Sequence, residues 1–230
     1  MFHRWENLLF LHWKWSAEEI QSLLPRGLWV DSFAGSAYLG VVPFFMRDIR
    51  FCGFPAVPWI SDFLETNLRT YVRDKHGTPG VWFFTLDANQ PLVVWWARRF
   101  FHLNYIHSRM SARLNGVEIL DYSLARADSE SSGTSRFSYQ PTGNDRLAAP
   151  GSLEFFLIER YVLFAWNAQT NLLQSGRVHH QPYLLQDVSL TAWDDQVLRW
   201  NSFDAKSRPP DHAVMSPGVE VEVFGLEPVP

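Results

Sequence analysis

Between Phe63 and Arg73 the polar residues fall on a two-residue period. Read as a strand, this segment puts Glu65, Asn67, Arg69, Tyr71 and Arg73 on one face and Leu64, Thr66, Leu68, Thr70 and Val72 on the other. A carboxylate, an amide, a guanidinium and a phenol in one row suit the wall of a polar cavity that recognises a small organic acid or carbonyl compound. The competing reading is a half-exposed strand whose polar face simply meets water.

Each group in the row has a chemistry and an alternative. The Arg69 guanidinium can hold a substrate carboxylate through two parallel hydrogen bonds, or it can form an ion pair with Glu65 on the same face. Glu65 serves as a general acid or base if burial raises its pKa toward neutrality. Paired with Arg69 its pKa falls instead, and it only orients other groups. Asn67 and Tyr71 can donate to a carbonyl oxygen and so stabilise an enolate, although Tyr71 could equally close one end of the fold. Asp87 ends an apolar segment just before a helix, a place for an N-cap. Glu159 and Arg160 are read as structural.

Other chemistries find no pattern. His179 and His180 are neighbours on a strand, where they face opposite sides and cannot share an ion. His102 and His107 have no carboxylate at ligand spacing, so no metal site is expected. No glycine-rich dinucleotide or phosphate loop and no Gly-x-Ser-x-Gly elbow is present, so no cofactor is expected. Cys52 has no histidine partner in sequence.

The elements that must position these groups are mostly strands. Ser16-Ala-Glu-Glu19 has the capping-box pattern and opens a helix to Leu24, stopped by Pro25 and Gly27. From Ser32 to Met46, Tyr38, Val42 and Phe44 alternate with Leu39 and Val41, and Pro43 marks an edge or a bulge. Gly53 to Pro58 reads as a loop. Residues 63–88 read as a hairpin around Gly77–Gly80, and a helix follows from Asn89 and Pro91 to about Phe101. Val117–Arg126 and Thr134–Gln140 form a second hairpin with a flexible tip at Asp128–Gly133. Ser152 caps a helix over 153–161. Leu163–Asn167 and Leu172–Gln181 pair, Thr191 caps a helix to Trp200, 201–217 is loop, and Val219–Phe224 is a last strand. This pattern predicts one mainly β domain over 1–230, a closed or strongly curved, mostly antiparallel barrel-like sheet with a few short helices. Closure removes exposed edges and gives the row an interior to face.

Composition sets the partners. The net charge is −4, and no basic stripe points to nucleic acid. Of twenty basic residues only Lys14, Lys75 and Lys206 are lysines, leaving seventeen arginines. Arginine favours bidentate carboxylate recognition and forms no Schiff base at ordinary pH. The lone Cys52 excludes a disulfide framework and points to a reducing cytoplasm. The first fifteen residues lack a signal-peptide pattern, and no apolar run approaches the roughly 20 residues that span a bilayer, so no membrane association is expected. The aromatic excess at Trp95, Trp96, Phe100 and Phe101 exceeds what one helix face needs and predicts a homo-oligomer.

Several phrases, in order, resemble the YqjF-like family, an uncharacterised group within the acetoacetate decarboxylase-like superfamily. They are Trp5-Glu-Asn-Leu-Leu-Phe-Leu-His-Trp13, Leu24-Pro-Arg-Gly-Leu28, Gly35-Ser-Ala-Tyr-Leu-Gly-Val-Val-Pro-Phe44, Glu65-Thr-Asn-Leu-Arg-Thr-Tyr-Val72 and Pro79-Gly-Val-Trp-Phe-Phe-Thr-Leu-Asp-Ala88, followed by Ala97-Arg98, Pro150-Gly-Ser-Leu-Glu154 and Glu159-Arg-Tyr161. The resemblance implies a mostly β, barrel-like domain around a polar cavity. It also implies a Schiff-base lysine after the Ala97-Arg98 helix, where this chain has His102-Leu-Asn-Tyr-Ile-His107 and no lysine. Arg98 and Tyr105 flank that place and become secondary ligand-binding candidates.

Two functions follow. One is a cofactor-independent lyase or isomerase acting on a small keto or hydroxy acid without a Schiff base, with Glu65 moving the proton. The other is a non-catalytic protein that binds or senses a small organic anion. The protonation state of Glu65 discriminates between them.

Overall fold

The fold is known from a computed structural model that describes residues 1–229, apart from residues 51, 52, 54, 58, 116–118 and 128–132 and the side chains of residues 115 and 119. Cys52, Val117 and most of the expected 128–133 tip therefore lie outside the described residues. In chain order the elements are β1 (Phe2–Trp15), α1 (Ala17–Ser22), β2 (Leu28–Val30), β3 (Ala37–Arg50), β4 (Phe63–Asp74) and β5 (Pro79–Ala88). Then come α2 (Pro91–Phe100), β6 (Tyr105–Asn115), β7 (Ile119–Arg126), β8 (Ser135–Arg146) and α3 (Leu153–Ile158). The chain continues through β9 (Val162–Asn167), β10 (Leu172–His180), β11 (Leu185–Ala192), α4 (Gln196–Arg199) and β12 (His212–Pro228). None of the helices is long and apolar enough to cross a membrane.

All twelve strands form one sheet, in the order β10-β9-β5-β6-β7-β8-β11-β12-β1-β3-β4-β2, and extra pairings of β10 with β12 and of β4 with β5 close it on itself. The mostly β, ring-closed architecture is the one the strand pattern predicts. Two strands branch. β5 pairs with β4 on one side, and on the other with β9 near Val81 and with β6 near Asp87. β12 pairs with β1 on one side, and with β10 and β11 on the other. Two rings therefore share a wall made of β12, β1, β3, β4 and β5. At the branch, a Cβ on Gly80 would lie 2.6 Å from the Val162 carbonyl oxygen, so only glycine lets β9 approach.

The shared wall is buried on both faces, and alternation sends successive side chains into different cores. Leu8, Phe10, Tyr38, Val42, Phe44, Phe63 and Tyr71 enter the first core, inside the β9–β10 ring. Leu9, Leu11, Leu39, Val41, Leu64 and Leu68 enter the second, beside Tyr122, Leu124 and Phe137. In β1, residues 7–10 stand against residues 42–44 of β3, a bulge marked by Asn7 at φ 51°. Pro43 lies opposite that irregular stretch, where a missing N–H is tolerated.

Several local expectations are corrected. The α2 cap is the Gln90 side chain, which accepts from Leu92 N, and Asp87 is instead buried in an ion pair. Thr191 lies in β11, paired toward β8, and its hydroxyl bonds Ser138, so the helix that follows is only α4. β12 begins at His212, inside the stretch read as loop, because residues 212–218 pair with β1. β6 was not expected: its mix of charged and apolar residues hides a strand that pairs with β5 over residues 105–107 and with β7 over residues 108–115. Ser16 caps α1 through Glu19 N, but its hydroxyl donates to Glu18, so the reciprocal half of the box is not made.

Candidate functional site

A cavity of about 610 Å³ lies on the first-core side of the shared wall. Glu65, Asn67 and Arg69 of β4 line it and are 3%, 6% and 9% exposed, so the polar face of the strand does not meet water. Tyr71, fully buried, continues the row behind Arg69, and Arg73 leaves it to pair with Asp31 near the surface. Tyr105, from the start of β6, enters the cavity beside Glu65. Arg98 lies elsewhere. It is exposed on α2, donates to the Tyr105 carbonyl and is not part of the cavity lining.

Glu65 Oε2 accepts the Tyr105 hydroxyl at 2.8 Å. Burial pushes the Glu65 carboxyl up to about 8; the Tyr105 hydrogen bond opposes this and the charge of Asp87 adds to it. This direction favours the protonated carboxyl near neutrality. From the second core, the Tyr122 hydroxyl donates to the Glu65 carbonyl oxygen at 2.9 Å and pins this stretch of β4. Among the described residues no ion pair joins Glu65 to Arg69. Four residues of strand separate their backbones by about 13 Å, and Asn67 stands between.

Arg69 donates from Nη2 to the Leu157 carbonyl at 3.0 Å, and its guanidinium lies over the Phe10 and Tyr71 rings, 5.5 and 5.6 Å from their centroids. Its buried Nε has no protein partner, nor does Asn67 Oδ1, and the Tyr71 hydroxyl has the Arg69 guanidinium beside it. A Cβ on Gly40 would come within 3.2 Å of the His12 ring and the Tyr71 hydroxyl and 3.4 Å of Arg69 Cγ, so glycine makes the room this group occupies. His12 Nδ1 meets His212 Nδ1 at 3.0 Å. Burial first, then the neighbouring His212 and the Arg69 charge, hold the His12 pKa well below its ordinary value. A second guanidinium, Arg160, reaches the cavity but is bound at 2.9 Å to the buried Asp31 and by its Nε to the Phe156 carbonyl.

Two cavity residues escaped the sequence reading. His3 is 6% exposed with neither ring nitrogen partnered, and the indole N–H of Trp5 is buried and unpartnered. Both line the cavity. Their period-two signal runs through odd positions, and the bulge at Asn7 then switches β1 to the even positions Leu8, Phe10 and His12. A search that allowed one inserted residue would have found them. Burial, and secondarily the terminal ammonium, lowers the His3 pKa to about 4, so its ring is neutral.

All three lysines are exposed, and none lines the cavity. Among the described residues no group of three or more histidine, cysteine or acidic side chains could hold a metal ion.

Comparison with known proteins agrees with this architecture. The chain is 35% identical over 188 residues to "Uncharacterized protein YqjF" of Bacillus subtilis (strain 168), covering 82% of this chain and 76% of that one. An acetoacetate decarboxylase-like enzyme from Sphingomonas wittichii RW1 superposes with a TM-score of 0.66 at 16% identity, over 100% of this chain and 92% of that one. The enduracididine biosynthesis enzyme MppR complexed with pyruvate superposes with a TM-score of 0.62 at 13% identity, over 99% of this chain and 89% of that one. These structures share the fold. The family model of DUF2071, described as "Uncharacterized conserved protein", matches residues 3–220, and the chain that builds this cavity belongs to that family.

Proposed function

We propose that the chain acts as one domain and is a cofactor-independent lyase or isomerase of keto or hydroxy acids, with Glu65 as the group that moves the proton. The observation that carries this reading is that Glu65 and Arg69 are buried on one wall of one cavity without pairing with each other. Arg69, with its Nε unpartnered and no carboxylate bound to it among the described residues, holds the substrate carboxylate. Asn67, two residues or about 7 Å farther along the strand, faces the carbonyl oxygen, and Tyr71 supports Arg69 from behind. Protonated Glu65, held by Tyr105, then donates to a departing hydroxyl or to the carbon of an enolate. MppR, which shares the fold, is known in complex with pyruvate, and this supports a keto acid as the ligand class.

The second reading, a non-catalytic protein for a small organic anion, is favoured by the exposure of all three lysines, which leaves the cavity without a lysine amine. The separating experiment follows keto and hydroxy acids by NMR in deuterated buffer. The wild type is expected to exchange or convert an acid, and Glu65→Gln is expected to lose conversion while the acid still raises its melting temperature. Binding without exchange or conversion in the wild type would establish the second reading.

Self-association is also proposed, through the outer face of α2, where Leu92, Trp95 and Phe100 are 59%, 63% and 51% exposed. Leu92 and Trp95 also border the cavity, as Trp96 and Phe101 do, whereas Phe100 does not. A strict monomer by light scattering would overturn it.

A further inference from the structure

The cavity is far larger than a three- or four-carbon acid requires. About 610 Å³ is the size of sites that take drug-sized ligands. Its polar groups are also spread out along the wall. Strand register places Arg69 level with Gly40, Glu65 with Phe44, and Phe63 with Met46, which in turn is opposite Trp5. From the Arg69 level to the Trp5 level is six residues of β4, about 20 Å of strand. His3 lies two residues beyond Trp5 along β1, between the levels of Arg50 and Arg47.

Beside Glu65, Asn67 and Tyr105 the lining between the two ends is largely aliphatic and aromatic, including Val42, Phe44, Phe63 and Leu86. At the far end polarity returns. The Trp5 indole N–H and both His3 ring nitrogens are buried without a protein partner, in two residues that line the cavity. Buried polar groups in folded proteins are almost always partnered, and neutral imidazole and indole N–H groups suit an uncharged oxygen or nitrogen. Arg50, which also lines this end, is within 3.6 Å of Asp48.

We propose that the natural ligand is an elongated amphipathic acid: a carboxylate at Arg69, the reacting carbon at Glu65, an apolar stem along the Phe44–Phe63 wall, and a distal uncharged hydrogen-bonding group read by Trp5 and His3. This rests on the keto- or hydroxy-acid reading above for its head group and adds the stem and the distal group. The stem provides affinity through apolar burial, and His3 and Trp5 provide specificity, because a ligand without the distal group leaves them unpaired.

Calorimetry with straight-chain 2-oxo acids of three to twelve carbons, and with their ω-hydroxy counterparts, tests the assignment. Affinity is expected to rise about fourfold per methylene, the equivalent of ~0.8 kcal/mol, until the stem fills the cavity. At full length the ω-hydroxy acid is expected to bind at least tenfold better than the plain acid, and His3→Phe and Trp5→Phe are each expected to reduce that preference. Pyruvate binding as well as the longest acid would overturn the elongated ligand and leave the head-group reading standing. Chain-length dependence with no preference for the ω-hydroxy acid, or a preference that survives both substitutions, would overturn the distal contact. Failure of every acid, pyruvate included, would remove the head-group reading itself.

Discussion

Two arginines lie almost out of water on opposite sides of the shared wall, and they are treated differently. Arg126, 6% exposed, faces Asp87 with Nε on Oδ1 and Nη2 on Oδ2, both at 3.0 Å. Thr85 accepts a further bond from it at 3.0 Å, and Ser108 donates to the same carboxylate at 2.6 Å. Arg69, 9% exposed, has one carbonyl, two aromatic faces and an unpartnered Nε. The first charge is neutralised where it stands, as a scaffold demands, because an uncompensated buried ion is costly. The second has no carboxylate partner among the described residues, and on the proposed reading a substrate anion supplies it. A buried charge therefore reads as structure or as site according to who completes it.

The largest expected effect separates the two. Arg126→Met leaves Asp87 buried without its partner and should cost about 3–5 kcal/mol in urea unfolding. Arg69→Met removes one hydrogen bond to a carbonyl and keeps the packing volume, so its change should stay within about 1 kcal/mol. If the Arg69 variant loses as much stability as the Arg126 variant, the contrast collapses and Arg69 is scaffold.

Next in size is Glu65→Gln, expected to lower turnover of the accepted acid about 10²–10⁴-fold, the range of a positioned acid or base. Its stability should also depend less on pH than that of the wild type. The folded carboxyl titrates near 8 against an ordinary value of 4.5, so the native state binds the extra proton between those values. Wild-type stability contributed by this group is therefore complete below about 4.5 and is lost as pH rises through about 8. Glu65→Gln should flatten that decline by a few kcal/mol. A wild-type curve with no decline relative to the variant would mean that Glu65 is ionised at neutrality, and the acid role would fail.

How much of this was legible in the sequence depends on whether a signal is local. The row from Glu65 to Arg73 is an unbroken period of two, and its partner hairpin strand is an apolar run, so both strands and the cavity-facing set could be read directly. The closed, mostly β sheet followed from the same alternation repeated along the chain. Asp87 was misread because its place before a helix is a local fact, whereas its partner Arg126 is 39 residues away. Tyr105 was found only through a family resemblance, since β6 has no clear alternation of its own. Arg98, found the same way, points off the outer face, because α2 turns only Val94 and Ala97 fully inward. The state of Glu65 was open because it depends on burial by two barrels, a property of the whole sheet.

The smallest expected effect sharpens the comparison most finely, because it tests a contact between the wall and the cavity. Tyr105→Phe removes one hydroxyl that donates to Glu65, an exchange worth about 1 kcal/mol in stability. The direction of its second consequence is fixed. That bond stabilises the ionised carboxylate and lowers the Glu65 pKa, so removing it must raise the pKa beyond about 8. If the active form of Glu65 is the acid, the alkaline limb of the pH–rate profile shifts to higher pH in Tyr105→Phe, and activity at neutrality changes little. If the active form is the base, the profile's acidic limb shifts upward and neutral activity falls. A profile that does not move at all would show that Glu65 is not the group titrating in turnover, and the unpaired side of the wall would lose its proton donor while keeping its anion site.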